Sequence, residues 1–366
     1  MSDTLLYISF LKWCLAEGEL TEIQPIAERI CWHDLLEFAK KQSLVGIYFR
    51  GILRLGDMKT NKPTDDDVME WMGMANKIEK RNKQLFQKAA FVHRTFLSEG
   101  FRNCILKGQG NALMYPEPMA RTSGDIDVWV EGGDRKAIAY VKHLCPKAEL
   151  CYHHIEFNKV KDVAVEVHYR PSFMNNLFYN ARLQRFFLEH AESQFTHEVR
   201  TPDGEGSFCV PTWDFNVIYQ LCHISNHFFH EGVGLRQIVD YFYLLKQRTG
   251  EDKSATLSYL GLGKVGRSVM YILSHYLGLN EQSLVCPLDK KRGEILMREI
   301  LEGGNFGQHD ERLLSGVYKN QLMSNLQRLV RDARFALMFP SESLSEPVFR
   351  LWHFVWRKRH NRTYFK

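Results

Sequence analysis

The chain has 366 residues, 45% hydrophobic and 25% charged, which excludes a disordered protein and leaves room for two or three packed units. No apolar run reaches the roughly 18–20 residues of a membrane span, and the first twenty residues lack a basic stretch and a small-residue cleavage site, so a cytoplasmic protein is expected. The eight cysteines form no Cys-x-x-Cys pair and read as reduced core thiols, and the net charge of +5 resides in the C-terminal end, where nine Arg/Lys oppose three acids between Gln321 and Lys366. Residues 1–85 read as helices, with apolar residues at three- and four-residue spacing and a polar N-cap turn at "NKPTDDD". From Gly100 the period changes. "NCIL" is a strand, "KGQGNALMYPEP" a turn and short helix with a proline stop, and "GDIDVWVEGG" an alternating strand bounded by glycines. "DRKAIAYVKHLCP" is a helix, and "YHHIEFNKVKDVAVEVHYRP" reads as two strands around a turn. Helices then return: "NNLFYNARLQRFFLEHAESQ", "TWDFNVIYQLCHISNHFFH" with Thr212 as cap, and "GLRQIVDYFYLLKQR". The expected organisation is a helical region over 1–85, an α/β core over 86–210 and a helical region over 211–366.

Asp125 and Asp127 lie two apart in the "GDIDVWV" strand, so both carboxylates point to one face, about 7 Å apart along the chain. Buried like charges repel, and divalent cations between them remove the repulsion. A solvent-facing polar edge is the plainer reading of such a pair. The downstream strand "VAVEVHYR" places Glu166 and His168 on one face and Val165 and Val167 on the other. Pairing Phe157 with Val165, through a three-residue loop, sets His154 and Glu156 beside His168 and Glu166. Upstream, the turn at Lys107, Gly108 and Gln109 opens a short helix, whose backbone N–H groups suit phosphate oxygens.

In this ordered combination the chain resembles the DNA polymerase β-like nucleotidyltransferases. The stretch "LKG…LMYPEPMARTSGDIDVWV", with "VEVHYRP" and "HISNHFFHEGVGLRQIVD" downstream, is similar to the uncharacterised nucleotidyltransferase family, over roughly Arg102 to Leu245. The resemblance implies an α+β fold, a small mixed-sheet core flanked by N- and C-terminal helical regions. It implies transfer of a nucleoside monophosphate from an NTP such as ATP to an unidentified hydroxyl, with pyrophosphate release. Asp125, Asp127 and Glu166 would bind Mg²⁺, or Mn²⁺ in its place, Glu166 also helping to deprotonate the acceptor. Gly108 and Gln109 would hold the β/γ-phosphates, and Lys107 and Arg121 would neutralise phosphate charge. Gln109 stands where many superfamily members carry Ser or Gly, which leaves open a nucleotide-binding or regulatory module with weakened catalysis. A DxD glycosyltransferase using a nucleotide-sugar is a further alternative, although such enzymes usually place a larger α/β domain before the acidic pair. The acceptor is a small molecule, a glycan precursor, an RNA end or a protein.

His154, His168, His223, His227 and Asp240 are substrate-side candidates. His223, His227 and His230 share one helix face at i, i+4, i+7, a spacing compatible with zinc, with an acceptor pocket or with plain packing. Asp240 lies four residues after Arg236, as a surface ion pair or a buried one holding the helix against the site. The tail stripe of Leu351, Trp352, Val355 and Trp356 is expected to pack on the helical region; the competing readings are contact of the basic end with nucleic acid or an acidic acceptor, or with a membrane surface.

Overall fold

A computed structural model describes residues 3–16, 19–56, 61–307 and 333–364. Arg328, Arg331 and Lys366, and the side chain of Arg362, therefore lie outside the described residues. The N-terminal helices are α1 (Asp3–Ala16), α2 (Leu20–Ala27), α3 (Trp32–Gln42), α4 (Val45–Leu55) and the long α5 (Asp65–Ser98). The start of α5 is a capping box. Thr64 Oγ1 accepts from the Asp67 N–H at 3.2 Å, and the Asp67 carboxylate accepts from the Thr64 N–H at 3.1 Å. Three aspartates in its first turn complement the helix dipole.

The core sheet has the order β1-β2-β4-β3, from β1 (Asn103–Leu106), β2 (Ile126–Val130), β3 (His154–Glu156) and β4 (Val165–His168). β2 runs antiparallel to β1 and parallel to β4, and β3 is antiparallel to β4. Parallel strands need a crossover, and α7 (Gly133–Leu144) supplies it. The β3–β4 register is the one read from the sequence: His154 faces His168 and Glu156 faces Glu166. The connection is longer than three residues, because strand pairing ends with the Phe157 N–H donating to the Val165 carbonyl at 2.8 Å and residues 158–164 form turns.

The strands alternate between two faces. Ile105, Ile126, Val128, Ile155, Val165 and Val167 pack with Phe96 and Ala89 of α5 and with Ile138 and Val141 of α7. The opposite face carries Leu106, Asp127, Trp129, Glu166 and His168. It is covered by helices, not by solvent: all five β2 residues are buried, and Trp129 lies 4.7 Å from Phe195 and 5.6 Å from Phe215. The solvent-facing polar edge considered for this strand is thereby excluded.

After α6 (Gly108–Ala112) and α7 come α8 (Leu177–Glu189), with Asn176 accepting from the Phe178 and Tyr179 N–H groups, and α9 (Ala191–Gln194). The turn-rich segment around "TPDGEGS" is a hairpin of β5 (Glu198–Arg200) and β6 (Ser207–Cys209). The C-terminal helices are α10 (Trp213–His230), α11 (Leu235–Lys246), α12 (Ser254–Tyr259), α13 (Gly263–Tyr271), α14 (Lys290–Gly303) and α15 (Pro340–Tyr364). α10–α14 share one apolar cluster with α1–α4, so helices from both ends of the sequence pack together beside the sheet.

The inward face of α15 differs from the stripe read in the sequence. Glu342, Glu346 and Phe349 are buried, whereas Leu351 is 68% and Val355 40% exposed. Trp352 meets the rings of Tyr152 and Phe349, and Trp356 meets Tyr152 and packs, partly buried, on the apolar cluster of the sheet. In the basic end, Arg357 pairs with Glu149 and Lys358 lies over the Phe354 ring.

Candidate active site

A cavity of about 560 Å³ opens between the polar face of the sheet and helices α10, α11 and α15. That volume suits a ligand of nucleotide size. Asp125, Asp127 and Glu166 line it, as do Lys107, Gly108, Arg121, His154, His168, His223, His227 and Asp240. Among the sequence-derived candidates, Gln109 does not. Its side chain is buried, away from the cavity, and its amide has no hydrogen-bond partner among the described residues.

Strand pairing brings the carboxylates together. Asp127 is in register with Glu166 on the neighbouring parallel strand, and Asp125 precedes it by two residues. Asp127 is sealed, and two cations of the chain hold it: Lys107 Nζ at 3.1 Å and His168 Nε2 at 2.9 Å, both on Oδ1. Burial opposes its charge, but Lys107 and His168 prevail and keep the carboxyl well below the usual carboxylate range. Burial also opposes the charge of His168, whose bonds to Asp127 and Glu166 raise its pKa to about 9. For Lys107, desolvation is outweighed by Asp127, Asp125 and Glu166, and its pKa stays above the ordinary value.

Asp125 differs. It is exposed to the cavity, and its pKa is raised, first by repulsion from Asp127 and then by desolvation, even with Lys107 nearby. Positive charge is still lacking at this point of the site, which fits a bound cation. Glu166 stays ionised: burial opposes its charge, but its bond to His168 lowers the pKa.

The turn that aims Lys107 is unusual. Lys107 has φ 50° and ψ −139°, and Gly108 follows with φ 35°. A side-chain-bearing residue rarely adopts positive φ, and such residues concentrate at functional sites. The loop from Tyr115 to Gly124 is held from behind. Asn82 of α5 donates to the Met119 and Arg121 carbonyls at 2.8 and 2.7 Å, and Arg81 donates to the Gly124 carbonyl at 3.3 Å.

Arg121 is buried and bonded twice to Asp240, Nε to Oδ1 at 2.6 Å and Nη2 to Oδ2 at 2.7 Å, while its Nη1 donates to Ser123 Oγ. Tyr115 donates its hydroxyl to the same Asp240 at 2.6 Å. Desolvation opposes the Asp240 charge, but Arg121 keeps its pKa low. Asp240 therefore bonds a residue of the loop before β2, and Arg236 of its own helix instead donates to the Thr122 carbonyl at 2.8 Å. Both α11 residues anchor the segment that leads into Asp125.

His223, His227 and His230 face the cavity from α10. They do not converge on one point. Among the described residues, the groups of side chains close enough to share a metal are His153–His154–His168 and Asp127–Glu166–His168. His230 bonds Asn175 at 2.9 Å, and burial keeps His223 neutral, its pKa well below the ordinary value.

The profile of a family described as "Uncharacterised nucleotidyltransferase" matches residues 28–277, more than half of the chain. The chain belongs to this family. No curated protein and no solved structure gives a significant match. Among the described residues, no helix is long and apolar enough to cross a membrane.

The family match extends past the cavity's sheet wall to α10 and α11 and stops before α15. Yet α15 contributes Phe349, Arg350 and His353 to the cavity, and the Tyr152 N–H donates to His353 Nε2 at 3.1 Å. Sequence reasoning missed these residues, and His153 as well. His153 sits in the tight turn closed by the Leu150–Ile155 bridge, just before β3, so strand alternation does not govern its direction. The doubled histidine "HH" was the only available signal.

Proposed function

We propose that this protein transfers a nucleoside monophosphate from an NTP to a hydroxyl acceptor. The observation that carries the reading is the placement of Asp125, Asp127 and Glu166 on one cavity wall, with Asp127 in register with Glu166 and in contact with Lys107 of the Lys107–Gly108 turn. The three carboxylates are the residues that would hold divalent cations, Mg²⁺ or Mn²⁺, and the raised pKa of Asp125 supports that fit. Such ions supply charge to the triphosphate and the leaving pyrophosphate. Lys107, kept protonated by its acidic neighbours, binds phosphate oxygens beside Asp127. Gly108 lets the backbone approach the phosphates. Arg121 acts indirectly, because Asp240 engages its guanidinium, and it positions the loop before Asp125. Glu166, held ionised by His168, takes the proton of the acceptor hydroxyl. The His223–His227 face and α15 form the acceptor side of the cavity.

The test is pyrophosphate release with each NTP, offered small hydroxylated molecules, glycan precursors, RNA and protein in turn. Parent protein should release pyrophosphate with one acceptor class, and Asp125→Asn should not. Equal release by both would sink the reading. A second reading has its own support. Asp127 is already neutralised by Lys107 and His168 without any ion, and Gln109 turns away from the cavity, as in a module that binds Mg-NTP without transfer. Metal-dependent NTP binding without pyrophosphate release from any acceptor would favour it.

A further inference from the structure

Next to the carboxylates, the site carries a second set of donors whose chemistry differs from theirs. His153 Nε2 and His154 Nδ1 are 3.0 Å apart. His154 Nδ1 and His168 Nε2 each lie 3.4 Å from the same oxygen, Glu166 Oε2. One nitrogen from each of the three imidazoles falls within 4.8 Å of the others. Donor atoms around a first-row cation with metal–nitrogen bonds of about 2.1 Å are separated by about 3.0 Å at octahedral angles and about 3.4 Å at tetrahedral ones. The His153–His154 nitrogen spacing and the two nitrogen–oxygen spacings fall in that interval.

The second ring nitrogens bear on how the imidazoles are held. Metal-binding histidines usually donate their second ring N–H to a carbonyl or carboxylate, which fixes the tautomer. His168 does this: Nδ1 lies 3.3 Å from the Arg170 carbonyl, and Nε2, which bonds Asp127 Oδ1 at 2.9 Å, would exchange that bond and its proton for the ion. His153 presents Nε2 to the cluster, and its Nδ1 is sealed from solvent with no hydrogen-bond partner among the described residues. Backbone geometry holds the arrangement, because the Tyr169 and Arg170 N–H groups both donate to the His153 carbonyl, at 3.1 and 3.2 Å.

We infer that His153, His154 and His168 form an imidazole site, with Glu166 at its edge, that selects a first-row transition cation of the Mn²⁺, Co²⁺ or Zn²⁺ class over Mg²⁺. Imidazole nitrogen suits these ions, whereas Mg²⁺ prefers oxygen donors and retained water. The site shares His168, the partner of Asp127 and Glu166, with the proposed transfer reaction but does not depend on that reaction: a protein without transfer activity would bind the ion equally.

The experiment uses the full chain stripped of metal by chelation and titrated with Co²⁺, without nucleotide. Aqueous Co²⁺ absorbs only weakly in the visible, so a shifted and intensified d–d band reports the exchange of water for protein ligands. The expected result is a saturable band, displaced by stoichiometric Zn²⁺ and retained in a large excess of Mg²⁺. His153→Ala and, separately, His154→Gln should each weaken Co²⁺ binding 10- to 100-fold. Unfolding midpoints would verify that the variants fold. Absence of the band in the parent, or its displacement by Mg²⁺ as readily as by Zn²⁺, overturns the inference whatever the variants do. Undiminished affinity in both folded variants overturns it too. A normal band in a protein that releases no pyrophosphate would leave this site standing while the transfer reading fell.

Discussion

The two faces of the β1–β4 sheet come from the same strands by simple alternation, yet they meet opposite physical demands. Toward α5 and α7, Ile105, Ile126, Val128, Val165 and Val167 are buried and require only close packing. Toward α10, Asp127 and His168 are equally buried one residue away in those strands. There, burial is unfavourable, and it is tolerated because each charge has an opposite charge in contact. The apolar face supplies stability, and the polar face holds charges where a reaction could use them.

The largest expected effect separates two aspartates on the polar face itself. Asp125→Asn should abolish pyrophosphate release, by roughly 10³-fold or more, the scale of losing several kcal/mol of charge stabilisation in the transition state. Its urea midpoint should hold or rise, since the repulsion from Asp127 is relieved. Asp127→Asn should lose turnover as severely and also lose about 3–5 kcal/mol of stability, because Lys107 and His168 are left without their shared partner. Equal stability changes in the two variants would mean that Asp127 is not the charge on which the buried pairings depend.

Next comes the pair that ties α11 to the loop before β2. Asp240→Ala leaves the Arg121 guanidinium, with only 4% of its side chain exposed, facing a void. A loss of about 3–5 kcal/mol in urea unfolding is expected, and the double variant Arg121→Met with Asp240→Leu should recover most of it. No recovery would show that the loop, not the charge, requires these residues.

Those two experiments concern residues whose legibility differed sharply. Asp125, Asp127 and Glu166 were readable because strand alternation with period two fixes direction over short distances, and the β3–β4 register followed from matching Phe157 with Val165. The partner of Asp240 was not readable. Arg236 is four residues away on the same helix, while Arg121 is 119 residues away and reaches it only through the tertiary fold. α15 misled for a different reason. Its most apolar stripe faces outward at Leu351 and Val355, while its buried side carries Glu342 and Glu346. Those carboxylates find partners in the Asn175 N–H and in Arg350, and hydrophobicity cannot announce such partners. His153 escaped because a turn, not a strand, aims it.

A smaller effect tests whether buried charge on the polar side leaves a trace in pH. Glu342 of α15 is 3% exposed and accepts from the Asn175 N–H, whose side chain in turn bonds His230 of the cavity wall. Burial pushes its carboxyl from 4.5 up to about 7. Between those values the folded protein keeps a proton that the unfolded chain has released, so stability falls as pH rises through this window. The contribution is fully present below about pH 4.5 and gone above about pH 7, and its full size is on the order of 3 kcal/mol. Glu342→Gln should remove this part of the slope, so the variant should gain on the parent between pH 5 and pH 8. A constant difference in urea midpoint across that range would refute the assignment.

The smallest effect probes the apolar face at the one residue flanked by both aspartates. Ile126 is fully buried between Asp125 and Asp127, and its side chain points to α5 and α7, away from the cavity. Ile126→Val removes one methylene from a packed site and should cost about 0.5–1.5 kcal/mol in urea unfolding. Turnover and Co²⁺ binding should stay as in the parent, because the strand backbone and its pairing with Val165 are unchanged. A large loss of turnover at that modest cost in stability would break the comparison. It would mean that packing beneath the strand sets where Asp125 and Asp127 stand, and that the two faces act as one device.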